Sequence, residues 1–317
     1  MMSVERYDTP AEGRLIGRLP PVRGKYAEGV AMAPFTWFRV GGRAEVVFRP
    51  MDREDLAGFM ADKPKDVPVT VIGVTSNLLV RDGGVQGVVV RLGKAFARTE
   101  FLNGQVRFGA ATLNGNASLS ALRLGRSGLE FLSGIPGSIG GGLRMNAGAY
   151  SREFKDVLIA AEGIDGAGQL QSIPVDEMGM SYRHCTAAAE SIFTSGLFTA
   201  PDGDPAEIAC QIESIRAARA KSQPIGARTG GSTFANPNGL KAWELIEAAG
   251  CRNLRMGGAM VSEKHCNFLI NTGKATAADI EALGEEVRRR VLESSGIELR
   301  WEIQRVGVPI RIEGAGA

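Results

Sequence analysis

The stretch from Gly134 to Gly142 limits this chain most, because six of its nine positions are glycine or proline. Such density is costly in chain entropy unless a ligand or a second backbone must approach closely. A solvated linker would have no use for the interleaved Ile135, Ile139 and Leu143. The stretch therefore reads as a ligand-contacting loop that runs on to Asn146 and Ala149. Glycine is abundant throughout, at 42 of 317 residues, against an average of about 7%.

The rest of the composition works mainly by exclusion. With 44% hydrophobic and 23% charged residues, the chain can build globular cores, and its length suits two or three packed domains. Lys plus Arg (37) nearly balances Asp plus Glu (35), so no basic surplus points to nucleic acid. No apolar run is long enough to cross a bilayer, and the mixed-charge start has no apolar signal region, so the cytoplasm is the expected location. Only two histidines occur, His184 and His265. A histidine-built metal site or a Ser-His-Asp triad has few parts to draw on, and no metal is expected. The four cysteines show no C-x-x-C spacing and read as idle thiols in a reducing compartment.

Hydrophobic patterning divides the chain. Residues 1–33 read as an irregular arm. Residues 34–93 alternate strand and helix signals, with Asp52 placed to cap a helix through Met60. Residues 94–205 read as an antiparallel-rich α+β unit. Asn103-Gly104 and Asp165-Gly166 mark two hairpins in it, and a short helix is expected near Leu119–Leu124. Residues 206–317 hold three helical patterns. The last starts at Thr276 with Asp279 as a capping-box partner and stops at Gly296. A closing strand is expected over residues 298–307, and the chain's final residues are free to return to the first unit. The fold class is α+β.

The usual nucleotide signatures are absent. No G-x-G-x-x-G follows a strand, and no G-x-x-x-x-G-K-[ST] exists. Two loops remain as phosphate cradles. The first, Gly73, Thr75, Ser76, Asn77 and Leu78, directly follows a β-branched run; taken alone it is also an ordinary polar turn. The second is the glycine stretch itself. A third stretch, Gly230-Gly231-Ser232-Thr233-Phe234-Ala235-Asn236-Pro237, offers a serine in a glycine turn. On spacing alone it reads as a plain Ser turn, and with no nearby histidine a proton-donor role for Ser232 is easier to defend than a nucleophilic one. Arg183, beside Tyr182, and Glu302 complete the charged candidates. Alternation alone puts Glu302 on the wet face of an edge strand.

Taken together, these stretches resemble the UDP-N-acetylenolpyruvoylglucosamine reductase family, shorter subtype. The resemblance spans about Pro34 to Gly307 and is carried by G-I-P-G-S-I-G-G, G-S-T-F-A-N-P, Y-R-H-C, S-E-K-H-C-N-F-L-I-N and the closing W-E-I-Q-R-V-G. It implies a vanillyl-alcohol-oxidase/PCMH-type FAD-binding fold of two α+β subdomains, followed by an α+β substrate-binding domain. It also implies FAD held by Gly73, Thr75, Ser76, Asn77 and Leu78 and by Gly134, Ile135, Pro136, Gly137, Gly140, Gly141 and Asn146. Neither loop contains His or Cys, so the flavin is expected to be non-covalent. NADPH would be the hydride donor, and the enolpyruvyl ether of UDP-N-acetylglucosamine the acceptor. By family position Arg183 would steady the substrate carboxylate, Ser232 would protonate C2, and Glu302 would stand near the same carbon. Tyr182, Lys221 and Asn236 would meet the substrate. No obligate protein partner is implied.

Two departures stand out. Thr75 occupies a position where the family usually has glycine, which means strain if the backbone there is left-handed, or else a hydroxyl free for phosphate. Ala235 replaces a frequent basic residue. The same fold also accommodates a sugar or hydroxy-acid oxidase, or a sugar-nucleotide-binding protein without catalysis.

Overall fold

The computed structural model describes residues 14–310; the first part of the expected arm, residues 1–13, lies outside them. From Lys25 on, the arm reading is corrected. Lys25–Ala31 forms strand β1, paired antiparallel with β2 (Arg43–Arg49). Its half-polar sequence hides the strand, which takes its stability from the neighbour's hydrogen bonds and from Tyr26 packing on Phe48. Helix α1 (Arg53–Asp62) follows, and the Asp52 carboxylate accepts from the Asp55 amide as its cap. Then come β3 (Val69–Ile72), β4 (Leu78–Val80) and β5 (Val85–Arg91). The sheet order is β1-β2-β5-β3, with β5 parallel to both of its neighbours. A strand buried on both faces must be apolar throughout, which is why Val88, Val89 and Val90 run without alternation.

The second unit is antiparallel. Strands β6 (Thr99–Leu102) and β7 (Gln105–Gly109) flank the two-residue Asn103-Gly104 turn, with Gly104 at φ +69°. Helix α2 spans Asn114–Arg123 and so begins a turn earlier than its apolar pattern suggests. Helix α3 (Ile139–Met145) begins inside the glycine stretch, so the expected loop is in part helix. Three successive glycines tolerate this because α3 lies hard against its sheet. A side chain at Gly142 would collide with the Phe154 ring, and one at Gly140 would come within 3.0 Å of Ala110 Cβ.

Short hairpins follow: β8 (Gly148–Ala149) with β9 (Arg152–Glu153), and, after β10 (Leu158–Asp165) and β11 (Leu170–Pro174), β12 (Met180–Ser181) with β13 (His184–Cys185). Strand β14 (Ser191–Thr199) completes a five-stranded sheet ordered β11-β10-β14-β7-β6. Its buried face, with Phe108, Phe154 and Phe198, forms the core of this unit.

Helix α4 (Pro205–Ser222) leads to the last unit: α5 (Ala242–Ala248), a three-stranded antiparallel sheet of β15 (Arg255–Met256), β16 (Ala259–Val261) and β17 (Leu269–Asn271), and α6 (Ala277–Ser295). The Thr276–Asp279 capping box is formed, and Gly296 ends α6 at φ +72°. The closing strand is shorter than expected. Only β18 (Gln304–Val306) pairs regularly, in parallel with β4, while Trp301 makes a single bridge to Phe234. The core of the last unit therefore includes Phe38, Val40 and Leu79 from the first. Among the described residues no helix is long and apolar enough to cross a membrane. All four cysteines are free thiols.

Candidate active site

The two glycine loops meet. Gly73–Asn77 links β3 to β4, and the Ser76 hydroxyl donates to the Pro136 carbonyl at 3.1 Å. The Asn114 amide donates to the Gly137 carbonyl, and the Asn114 side chain to that of Ile135. Gly137 sits at φ +139°, where a side chain would be strained. A Cβ at Gly73 would stand 2.8 Å from the Ser138 hydroxyl. A cleft of about 140 Å³ opens between the loops, lined by Gly73, Ser138, Gly140, Gly141 and the side chains of Arg91 and Arg144. Val71, Leu92 and Phe193 add apolar walls. Glycine surfaces that permit close backbone approach, two guanidinium groups and an apolar flank suit a dinucleotide: diphosphate on the first two, aromatic ring on the third. The residues present therefore fit FAD.

Arg91 and Arg144 were not among the residues singled out in the sequence. The available signal was a charge ending the buried β5 strand, and another directly after the glycine run. Arg91 lies over the Phe35 ring at 4.8 Å, and burial lowers its pKa from the ordinary value, with Arg49 adding to the effect.

Three loop residues sit differently from expectation. Thr75 is buried at φ +57°, the left-handed region that glycine would occupy freely. Its hydroxyl donates to the Phe35 carbonyl at 2.6 Å, so it is engaged within the protein and not turned toward phosphate. Leu78 opens β4 and packs beside the core of the first sheet. Asn146 is fully buried at the left-handed end of α3, donating to Glu153 and to the Ser181 carbonyl and accepting from the Lys155 amide. These bonds tie Asn146 to the β12–β13 hairpin.

That hairpin presents Arg183. Tyr182 and Arg183 form its two-residue turn, Arg183 at φ +55°. Arg183 Nε donates to Glu302 Oε1 at 2.8 Å, Nη2 donates to the Gly148 carbonyl at 3.1 Å, and the guanidinium lies 4.9 Å from the Tyr182 ring centroid. Glu302 is not on a wet face. Its side chain is 14% exposed, because the closing segment leaves regular strand geometry at this point. The Asn77 side chain donates to the Glu302 carbonyl, and the Gln304 amide to the Asn77 carbonyl. The first cradle thus abuts the acid directly. Burial pushes the Glu302 carboxyl up from its usual range, against the pull of Arg183 and Arg300.

Ser232 immediately precedes Thr233, whose backbone meets Glu302. The Glu302 amide donates to the Thr233 carbonyl at 2.8 Å, and Ser232 bridges Phe268. The Asn236 amide meets the Tyr182 hydroxyl at 3.3 Å, while the Asn236 side chain accepts from the Ala242 amide at the start of α5. Lys221, exposed in the last turn of α4, shares no hydrogen bond or ion pair with the other candidates among the described residues. Arg183, Glu302, Tyr182 and the Asn236 backbone are thus linked, and the segment carrying Ser232 joins them through Thr233.

Comparison with known proteins places the chain in a family. A family model for the UDP-N-acetylenolpyruvoylglucosamine reductase C-terminal domain matches residues 223–306, and an FAD binding domain model matches residues 44–173. The UDP-N-acetylenolpyruvoylglucosamine reductase of Rhodospirillum rubrum is 56% identical over 307 residues, covering 95% of this chain and 96% of the relative. This chain belongs to that family. The Parvibaculum lavamentivorans member is 57% identical over 97% of this chain and 98% of its own. The crystal structure of the reductase from Thermus caldophilus superposes with a TM-score of 0.77 at 33% identity, covering 90% of this chain and all of that one. The expected FAD-binding α+β fold is thus borne out.

Proposed function

We propose that this chain is an NADPH-dependent, FAD-containing reductase that converts UDP-N-acetylglucosamine enolpyruvate to UDP-N-acetylmuramate in peptidoglycan precursor synthesis. One observation carries the reading. The Asn77 side chain of the first cradle bonds the Glu302 backbone, and Glu302 pairs with Arg183 and adjoins the Ser232 segment. That contact supports placing the proposed acid–base group beside the proposed cofactor loop.

FAD, when bound, would supply the hydride-transfer chemistry that links NADPH to C3 of the enolpyruvyl group. Gly73–Asn77, Gly134–Gly141 and the cations Arg91 and Arg144 would hold its diphosphate. Residues 34–93 and 94–205 would then be the two flavin-holding units and 206–317 the substrate-holding one. Matches at 44–173 and 223–306 support a flavin-holding part ahead of a substrate-holding part. A cytoplasmic location suits the four free thiols.

Reduction at C3 drives negative charge through C2 onto the substrate carboxylate. Arg183 meets that charge with a planar, permanently protonated fork. Before substrate arrives, Glu302 holds the same guanidinium. A substrate carboxylate that takes up Arg183 removes the main pull keeping Glu302 ionised. That loss acts in the same direction as burial, which already raises the Glu302 carboxyl. Ser232 delivers its hydroxyl proton to C2, and Glu302 restores it. Tyr182, Asn236 and Lys221 orient the sugar nucleotide.

The test is an anaerobic titration. NADPH should bleach the flavin band, and adding the enolpyruvyl sugar nucleotide should restore it stoichiometrically. Reoxidation by oxygen with no response to that substrate would contradict the proposal.

A further inference from the structure

Ser232 needs a fixed position, since a hydroxyl is a weak acid whose competence depends on delivery geometry. Its neighbours show where that position comes from. Residues 232–235 lie between two other segments. On one side the Glu302 amide donates to the Thr233 carbonyl at 2.8 Å, and the Ala235 amide donates to Arg300 at 2.9 Å. On the other side Ser232 bridges Phe268, and the Thr233 amide donates to the Asn267 carbonyl at 2.8 Å.

The second side has no continuous strand to pair with Phe234, and the Asn267 side chain takes that place. Its Oδ1 accepts from the Phe234 amide at 2.9 Å, and its Nδ2 donates to the Phe234 carbonyl at 2.8 Å. Asn267 is 4% exposed and Phe234 1% exposed. An unpaired backbone group buried there would be costly, so both bonds hold Phe234 in one place. The Phe234 ring packs on Trp301, the residue before Glu302, with centroids 5.2 Å apart. Asn267 is itself anchored. Its amide donates to His265 Nδ1, and Ser262 Oγ accepts from the Lys264 and His265 amides.

We propose that Asn267 is a positioning residue for the protonation step: its amide acts as a surrogate strand that sets the Ser232 hydroxyl relative to Glu302. The proposal rests on the reading of Ser232 as proton donor. It excludes any contact of Asn267 with flavin or NADPH, so its influence is confined to the half-reaction that uses Ser232.

The experiment measures both half-reactions by stopped flow on FAD-loaded Ser232→Ala, Asn267→Ala, Asn267→Asp and the Ser232→Ala/Asn267→Ala double variant. Asn267→Ala should slow reoxidation by the enolpyruvyl substrate by ~10-fold or more, the scale of a misplaced catalytic group, and leave reduction by NADPH within ~2-fold. The double variant should be no slower than Ser232→Ala, because the two residues act as a unit. In Asn267→Asp, which preserves shape, the new carboxyl donates to Phe234 only when protonated. Its reoxidation rate relative to wild type should therefore recover as pH falls. Equal slowing of both half-reactions by Asn267→Ala, multiplication of the two single losses in the double variant, or a pH-independent Asn267→Asp deficit would each overturn the proposal. Ser232→Ala that leaves reoxidation intact would remove the proton-donor reading itself, and the positioning role with it.

Discussion

The loops proposed as the cofactor cradle and the residues proposed as the acid–base group touch at Asn77, yet they are built in opposite ways. The cradle is made of backbone. Its key positions are glycines whose missing side chains let a ligand or another loop approach, as at Gly73 and Gly137. The acid–base group is made of side chains delivered from three distant segments: a hairpin turn for Arg183, a clamped extended segment for Ser232 and an irregular closing stretch for Glu302. The first kind of site fails by obstruction and the second by loss of a functional group. The two regions should therefore break separately.

Ser232→Ala should give the largest effect. Reoxidation of reduced enzyme by the enolpyruvyl substrate should slow by at least ~100-fold, the scale for losing an acid catalyst, while flavin content and reduction by NADPH stay unchanged. Stopped-flow absorbance of each half-reaction decides this, and equal losses in both would merge the two regions.

Gly137→Ala should do the reverse at smaller scale. Forcing a side chain onto φ +139° costs on the order of 1–3 kcal/mol, so FAD should bind ~10-fold or more weakly. Variant fully loaded with FAD should retain the wild-type reoxidation rate. Flavin fluorescence during titration of apoprotein measures the affinity.

Asp279→Ala should touch neither region. The Asp279 carboxylate accepts from the Thr276 and Gly258 amides, and those bonds hold its pKa below the ordinary value. Its contribution, about 1 kcal/mol for a cap of this kind, is fully present above the unfolded-state pKa and disappears as pH falls through the lowered folded value. Chemical denaturation should show the variant less stable at neutral pH and the difference closing in acid, with both half-reactions unaltered.

The same contrast explains what could be read from sequence. The glycine loops proposed as a cradle stood out because glycine density is a local signal, and the Asp52 cap, the Asn103-Gly104 turn and the Thr276–Asp279 box were legible for the same reason. Arg183, Ser232 and Glu302 came as a set only through family resemblance. No spacing rule brings residues 183, 232 and 302 together, and alternation alone put Glu302 in water. The closing segment bridges Phe234 at Trp301 before regular pairing begins at Gln304, a tertiary event with no local signature. The remaining misses have similar causes. Strand β1 is polar enough to pass for an arm, and Asn146 looks like a loop residue until its three bonds are counted. Arg91 and Arg144 reach the cleft from a strand end and a helix, neither of which is a cofactor motif.

Glu302 is where the two regions join, so Glu302→Gln tests their separability most directly. The variant removes the carboxylate and keeps the backbone bonds to Asn77 and Thr233. Flavin affinity and the rate of NADPH reduction should match wild type while reoxidation by the enolpyruvyl substrate falls sharply. A variant that loses FAD, or slows equally in both half-reactions, would show that the acid is part of the cradle and that the division proposed for this molecule is wrong.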